Sequence, residues 1–188
     1  MLFSEFKALR MAALMQEQWG RERIPDLLEI FYKGCRPRSV LEIGCWQGVS
    51  TEFWALHCAR VVAVDPWPDI QVRRRFQARV SHYPHVEMVE GYSPDILNTM
   101  KGLFDLVYID GDHDYEPVKA DIRATYELVP SWGWIGGHDY GSCPGVQQAV
   151  DELLGPPTFR CSDGSWLIHK AQTRIPHAPR ATVHEVRD

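Results

Sequence analysis

Five apolar runs in this chain end in glycine or in residues that can do chemistry. The ends are Gly44; Asp65; Gly91-Tyr92-Ser93; Asp110-Gly111-Asp112-His113; and His138-Asp139-Tyr140. Four of the five carry carboxylates, hydroxyls or imidazoles just past the apolar stretch, a convergence that packing explains poorly. Imidazole titrates near neutrality, so His113 and His138 are candidates to take up a proton. The first end is the most informative. Val40-Leu41-Glu42-Ile43-Gly44-Cys45-Trp46-Gln47-Gly48-Val49-Ser50 reads as a buried strand, a glycine turn and the start of a helix. Such a junction aims backbone N–H groups and a helix N-terminus at a ligand. Gly44 and Gly48 can take positive φ or let a ligand approach the backbone closely. Their spacing is Gly-x-x-x-Gly, not the Gly-x-Gly-x-x-Gly of dinucleotide sites. Glu42 stands two residues before the first glycine, and Asp65 closes the next apolar run, Arg60 to Asp65.

These ends need elements to hold them. Apolar spacing predicts a helix over 3–18 and a second over Pro25 to Lys33, with Pro25 in its first turn and Gly34 as its stop. Strands follow at 39–43 and 60–64, separated by a helix over about 49–58. Residues 65–69 hold too much proline for a regular element, and 70–82 read as a helix whose Arg73, Arg74, Arg75 and Arg79 form a solvated face or, as the alternative, an anionic-substrate patch. Val86 to Glu90 alternates like a strand, and 91–95 cap a short helix. Phe104 to Asp110 is a buried strand, 115–129 a helix, Trp134-Ile135 the core of a strand and Val146 to Leu154 a helix. Phe159 to Cys161 and Trp166 to Lys170 read as a hairpin.

Regular β-α alternation of this kind means a parallel sheet covered on both faces. The expected architecture is a single doubly wound, Rossmann-like, mostly parallel sheet with an antiparallel C-terminal hairpin. One domain over 1–170 is expected, with N-terminal helices over 1–34. Residues 171–188 carry Pro176 and Pro179 without periodicity and are expected to form a loose tail or an arm ordered on a partner chain.

With 188 residues the chain can bury a proper core as one domain. No apolar run approaches the roughly 20 residues of a membrane span, and the N-terminus does not read as a signal peptide. The net charge of -5 argues against nucleic-acid binding as the main task. Cys35, Cys45, Cys58, Cys143 and Cys161 are scattered and odd in number, which points to neither a zinc knuckle nor a disulfide framework, and a reducing cytoplasm is the expected home.

The Glu42–Gly48 turn with Asp65 resembles the S-adenosylmethionine site of class I methyltransferases. The segments Asp110-Gly-Asp-His113 and Gly136-Gly-His-Asp-Tyr140 are similar to the branch that includes catechol O-methyltransferase and the macrocin-type sugar O-methyltransferases, over about residues 38–170. The resemblance implies that Glu42, Gly44, Gly48, Ser50 and Asp110 belong to the cofactor site. In it Asp65 accepts from the ribose hydroxyls, as a carboxylate with two oxygens can. Ser93 hydrogen-bonds the adenine, and Trp67 covers the adenine face. Trp46 either lines the methionine side or packs into the core.

Many members of that branch hold magnesium through an acid after the fourth strand and two adjacent residues after the fifth. By position the ligands here are Asp110, His138 and Asp139. The usual pair after the fifth strand is two acids or Asp-Asn, whereas this chain has His138 in the first place. Magnesium prefers oxygen, while imidazole suits manganese, zinc, iron or nickel better. Two routes to a deprotonated acceptor therefore stay open: a divalent metal that lowers its pKa, or a base among His113, His138 and Asp110. Asp112 and Asp114 can also serve as helix N-caps, Asp114 being favoured.

The implied activity is methyl transfer to a hydroxyl of a small molecule such as a sugar or natural-product scaffold. A homo-oligomer is compatible with the short N-terminal segment, which offers little to form a lid. No Asn-Pro-Pro-Tyr-like motif is present, which disfavours the common amino-methylating enzymes. Three competing readings are an aminopropyl transferase on the same fold, a non-catalytic SAM or nucleotide-binding module, and an NAD-binding domain. The Asp-Gly-Asp-His motif fits the first less well, intact Asp110, His113, His138 and Asp139 speak against the second, and the glycine spacing disfavours the third.

Overall fold

The computed structural model describes residues 3–175. Two helices, α1 (Phe3–Leu14) and α2 (Gln18–Glu29), lead through a π-helical turn (Ile30–Cys35) into the first strand. Five strand–helix units follow: β1 (Ser39–Ile43) and α3 (Val49–His57), β2 (Arg60–Asp65) and α4 (Ile70–Val80), β3 (Val86–Glu90) and α5 (Asp95–Thr99), β4 (Leu106–Ile109) and α6 (Tyr115–Tyr126), β5 (Trp134–Gly137) and α7 (Pro144–Leu153). A hairpin of β6 (Phe159–Arg160) and β7 (Trp166–His169) ends the sheet, whose order is β3-β2-β1-β4-β5-β7-β6. Strands β1 to β5 are parallel, and β7 joins β5 antiparallel. This is the expected architecture.

The apolar runs explain it. Val40, Leu41 and Ile43, Val61 to Val64, and Leu106 to Ile109 are buried, as strands covered on both faces must be. Alternate residues feed two cores. Leu41, Ile43, Val62, Val64, Val107 and Ile109 pack under α6 and α7 with Ile122, Val146 and Val150. Val40, Val61, Leu106 and Tyr108 pack on the other face with Ile24, Leu27, Phe53 and Trp54 of α2 and α3. Among the described residues, no helix is long and apolar enough to cross a membrane.

Two expectations are corrected at the ends of the chain. The second helix starts at Gln18, not Pro25, and Pro25 lies inside it. The reason is tertiary: a Cβ at Gly20 would stand 1.8 Å from the Leu14 carbonyl oxygen, so the glycine lets α2 cross close over the end of α1. That crossing buries Leu14, Ile24 and Leu27 completely, enough to outweigh local proline preference. At the other end, order continues past 170. A 3-10 turn spans Lys170–Gln172, the Tyr126 hydroxyl lies 2.7 Å from Thr173 Oγ1, and Ile175 packs on the core. The rest of the expected tail, 176–188, lies outside the described residues.

Candidate functional site

The strand order reverses between β1 and β4, and in open α/β sheets ligands bind beyond the carboxyl ends of the strands at such a point. A cavity of about 830 Å³ opens there, reached by all five strand ends named from the sequence. Backbone bonds carry the ladder one residue past the strands. Gly44 N donates to Val64 O (2.9 Å), Asp110 N to Ile43 O (2.7 Å) and His138 N to Ile109 O (3.1 Å). Gly44 has φ +80°, and a Cβ there would stand 2.2 Å from Asp110 O. Only glycine lets β1 leave the sheet against β4 in this way.

Asp65 organises the turn. Its Oδ2 accepts from Cys45 N and Trp46 N, both at 2.9 Å, and its Oδ1 from Trp67 N at 2.7 Å. Each carboxylate oxygen has two acceptor sites, so Oδ1 keeps one for a hydroxyl in the cavity. Arg79 braces the same turn from outside: Nε donates to Gln47 O (2.9 Å) while the guanidinium pairs with Glu17 and Glu52. Arg79 is thus no solvated residue, contrary to the reading of the basic run.

Ser50, Asp65, Ser93 and Asp110 line the cavity, as does Trp46. Three other cofactor candidates do not. Gly48, at φ +81°, sets the start of α3, where a Cβ would stand 2.8 Å from the Phe76 ring. Glu42 is fully buried beneath the turn and accepts the Thr51 hydroxyl. Burial pushes its carboxyl up to about 7, against that hydroxyl, which favours the charge. Trp67 is 3% exposed, 4.6 Å from the Phe76 ring, with its indole N–H donating to Trp46 O. A left-handed backbone (φ 37°), with its N–H held by Asp65, sends Trp67 into the small core under α4, and Pro66 faces the cavity.

At the other end stand Asp110, His113, His138 and Asp139. His138 Nδ1 lies 3.0 Å from Asp139 Oδ2 and 3.8 Å from Asp110 Oδ1, and Nε2 lies 3.5 Å from Asp163 Oδ2. Among the described residues Nδ1 has no aligned hydrogen-bond partner. Burial opposes charge on His138, but the surrounding carboxylates prevail and hold its pKa up at about 9. Burial likewise works against charge on Asp139, yet His138 beside it brings its pKa down to about 2. Burial raises Asp110 in spite of the neighbouring Arg23 guanidinium. His113 Nε2 stands 2.9 Å from Asp139 Oδ2 at the exposed rim.

The expected ligand set does converge: Asp110, His138 and Asp139 each place one ligand atom within 4.8 Å of the others. His113, Asp139 and Cys143 do the same. Asp114 occupies the N-cap position of α6 without a side-chain cap bond; Asp112 Oδ1 accepts Asp114 N at 2.9 Å.

Four residues at the site escape sequence reasoning. Arg23 of α2 forms an ion pair with Asp110. Asp121 lines the cavity beside Ser93, and burial pushes it up to about 6 against a hydrogen bond from that serine. Its signal was an acid on the buried side of a helix. Asp163, behind His138, donates its backbone N–H to Asp26 of α2 at 2.7 Å, which ties the hairpin turn to the N-terminal helix. Trp19 of α2 meets Trp46 edge to face at 5.5 Å across the cavity mouth.

Comparison with known proteins agrees with this fold. An uncharacterized protein of Acanthamoeba polyphaga mimivirus is 35% identical over 81 residues, 39% of this chain, and the chain spans 37% of that relative's length. The N-methyltransferase NodS of Bradyrhizobium japonicum WM9, solved with S-adenosyl-L-homocysteine, aligns with a TM-score of 0.60 at 21% identity, over 82% of this chain and 87% of that one. An O-methyltransferase of Bacillus cereus, solved with S-adenosylhomocysteine, aligns with a TM-score of 0.53 at 20% identity, over 80% of this chain and 76% of that one. Both likenesses are of fold. The family model for a methyltransferase domain matches residues 41–140, from the glycine turn to the His138-Asp139 loop, so this chain belongs to the methyltransferase domain family.

Proposed function

We propose that this chain transfers the methyl group of S-adenosylmethionine to a hydroxyl of a small molecule, such as a sugar or a natural-product scaffold. The observation that carries this reading is continuity: one cavity joins Gly44, Asp65 and Ser93 to Asp110, His113, His138 and Asp139. The cofactor's chemistry, when it is bound, is an electrophilic methyl carbon on a sulfonium. The residues fit such a group. Gly44 and Gly111 keep side chains off the cavity floor, and Asp65 Oδ1 retains an acceptor site for a ribose hydroxyl. Ser93 and Asp121 offer polar atoms at the adenine end.

The chain's own part in the transfer is to aim the acceptor and take its proton. His113 suits the second task. With Nε2 paired to Asp139, its Nδ1 is placed to take the proton of an acceptor hydroxyl. His138, at about 9, is protonated at neutral pH and acts as a fixed positive charge among three carboxylates. Trp19 and Trp46, about half exposed at the mouth, offer apolar faces to a ring-shaped acceptor.

Calorimetry with S-adenosylmethionine and S-adenosylhomocysteine tests the reading, followed by a tritiated-methyl screen of hydroxylated acceptors. Micromolar binding of both nucleotides and label in an alkali-stable ether is the expected result. Absence of binding, or label only on amines, overturns it.

A further inference from the structure

Asp110 is the acid at which the family resemblance places the first metal ligand, yet in this structure it already has a cation. The Arg23 guanidinium pairs with Asp110 Oδ2 across 87 residues of sequence. Both side chains line the cavity, with Asp110 6% exposed and Arg23 23%. The other oxygen of Asp110 faces His138 Nδ1, 3.8 Å away. Arg23 cannot yield its place by losing a proton, because a guanidinium stays charged at any pH a folded protein tolerates. It can yield only by moving. Its helix is pinned: Ile24 and Leu27 are fully buried, and Asp26 accepts from the hairpin turn at 2.7 Å. A divalent ion on Asp110 would also stand beside a fixed positive charge in a poorly solvated pocket, where repulsion is strong. The residues present therefore fit a divalent metal poorly. Arg23 lies outside the segment that the family model matches, so the N-terminal helix brings the site a charge from beyond that segment.

We propose that the Arg23 guanidinium takes the place of a divalent cation in this chain, as the permanent counter-ion of Asp110 that closes the Asp110–His138–Asp139 cluster to metal. This rests on the methyl-transfer reading for its meaning, since it makes a fixed organic cation, and not a metal ion, the partner of Asp110 in the cavity. A guanidinium suits that task. Its five N–H donors are more than Asp110 can accept, and charged donors are worth most in a water-poor site.

The test is manganese binding, read by electron paramagnetic resonance and calorimetry on the full chain, with and without S-adenosylhomocysteine. Wild type is expected to show no saturable Mn²⁺ uptake up to about 1 mM, a range that covers weak carboxylate sites. Arg23→Ala frees Asp110 and is expected to gain Mn²⁺ binding at least about 10-fold tighter than wild type. That gain is lost again in Arg23→Ala/Asp110→Asn. Arg23→Lys, which keeps the charge and the fold, stays closed to metal. S-adenosylhomocysteine affinity stays within about 3-fold in Arg23→Lys, which keeps the positive charge beside Asp110.

Saturable Mn²⁺ uptake by wild type that Asp110→Asn abolishes would overturn the proposal. A folded Arg23→Lys whose S-adenosylhomocysteine affinity drops more than about 10-fold would overturn it too, by making Arg23 an anchor of the cofactor. Failure of wild type to bind either nucleotide would sink the methyl-transfer reading, while the metal comparison between wild type and Arg23→Ala would still decide whether the guanidinium closes the cluster.

Discussion

His113 Nε2 stands 2.9 Å from Asp139 Oδ2, so the loop after β4 and the loop after β5 meet through one imidazole–carboxylate pair at the cavity rim. The pair orients the ring and leaves Nδ1 without a partner among the described residues. In an acceptor assay, His113→Asn is expected to lower kcat by about 10² to 10⁴, the usual range for a general base. S-adenosylhomocysteine affinity should stay within about 3-fold, because the ring pairs with Asp139 and takes no part in the bonds that hold the Asp65 turn. A variant with unchanged kcat would remove His113 as the base.

Asp65 and Glu42 flank the same turn but do different work. Asp65 accepts three backbone N–H bonds and reaches the cavity, whereas Glu42 is sealed beneath it. Hydrogen bonds to a charged acceptor are worth about 1.5–3 kcal/mol each. Asp65→Ala should therefore loosen the turn and weaken S-adenosylhomocysteine binding at least about 100-fold. Glu42→Gln, an isosteric and neutral change, should leave affinity within about 3-fold. Equal losses in the two variants would return Glu42 to the cofactor site.

Trp46 and Trp67 lie 21 residues apart and share one hydrogen bond, from the Trp67 indole to Trp46 O. Trp67 is buried against Phe76, and Trp46 is half exposed. Urea unfolding should show Trp67→Ala destabilised by about 3–5 kcal/mol, as for other large core residues. Trp46→Ala should lie within about 1 kcal/mol of wild type. The reverse order would put Trp67 at the ligand.

The sheet was legible because β1, β2 and β4 are runs of Val, Leu and Ile buried on both faces, a pattern that short helices do not need. The strand ends were legible for the same reason: where such a run stops, the ligand side begins. What the sequence hid were relations across distance. Nothing local marks Arg23 as the partner of an acid 87 residues on, or Asp163 as the residue behind His138. Trp67 misled by proximity. It sits two residues from Asp65, but the N–H that Asp65 accepts and a left-handed φ turn its ring inward. Pro25 misled by type, since the burial gained when α2 crosses α1 at Gly20 outweighed its preference for a first turn.

His138 makes the fold's stability fall as pH rises above neutrality. Its pKa rises from 6.5 to about 9 on folding, because the Asp139, Asp163 and Asp110 carboxylates around it outweigh the burial that disfavours charge. Below pH 6.5 both folded and unfolded chains hold the proton, and the stabilisation is fully present. Between 6.5 and about 9 the unfolded chain has lost the proton and the folded chain keeps it, so stability falls as pH rises. The whole effect is on the order of 3 kcal/mol, because each tenfold gain in proton affinity on folding is worth about 1.4 kcal/mol. Urea unfolding at pH values of about 6, about 7.5 and about 9 should give a falling series for wild type. His138→Gln should be less stable at the acid end and flat by comparison. Parallel series for the two proteins would mean that His138 folds without its proton, and would return it to the candidates for the acceptor's base.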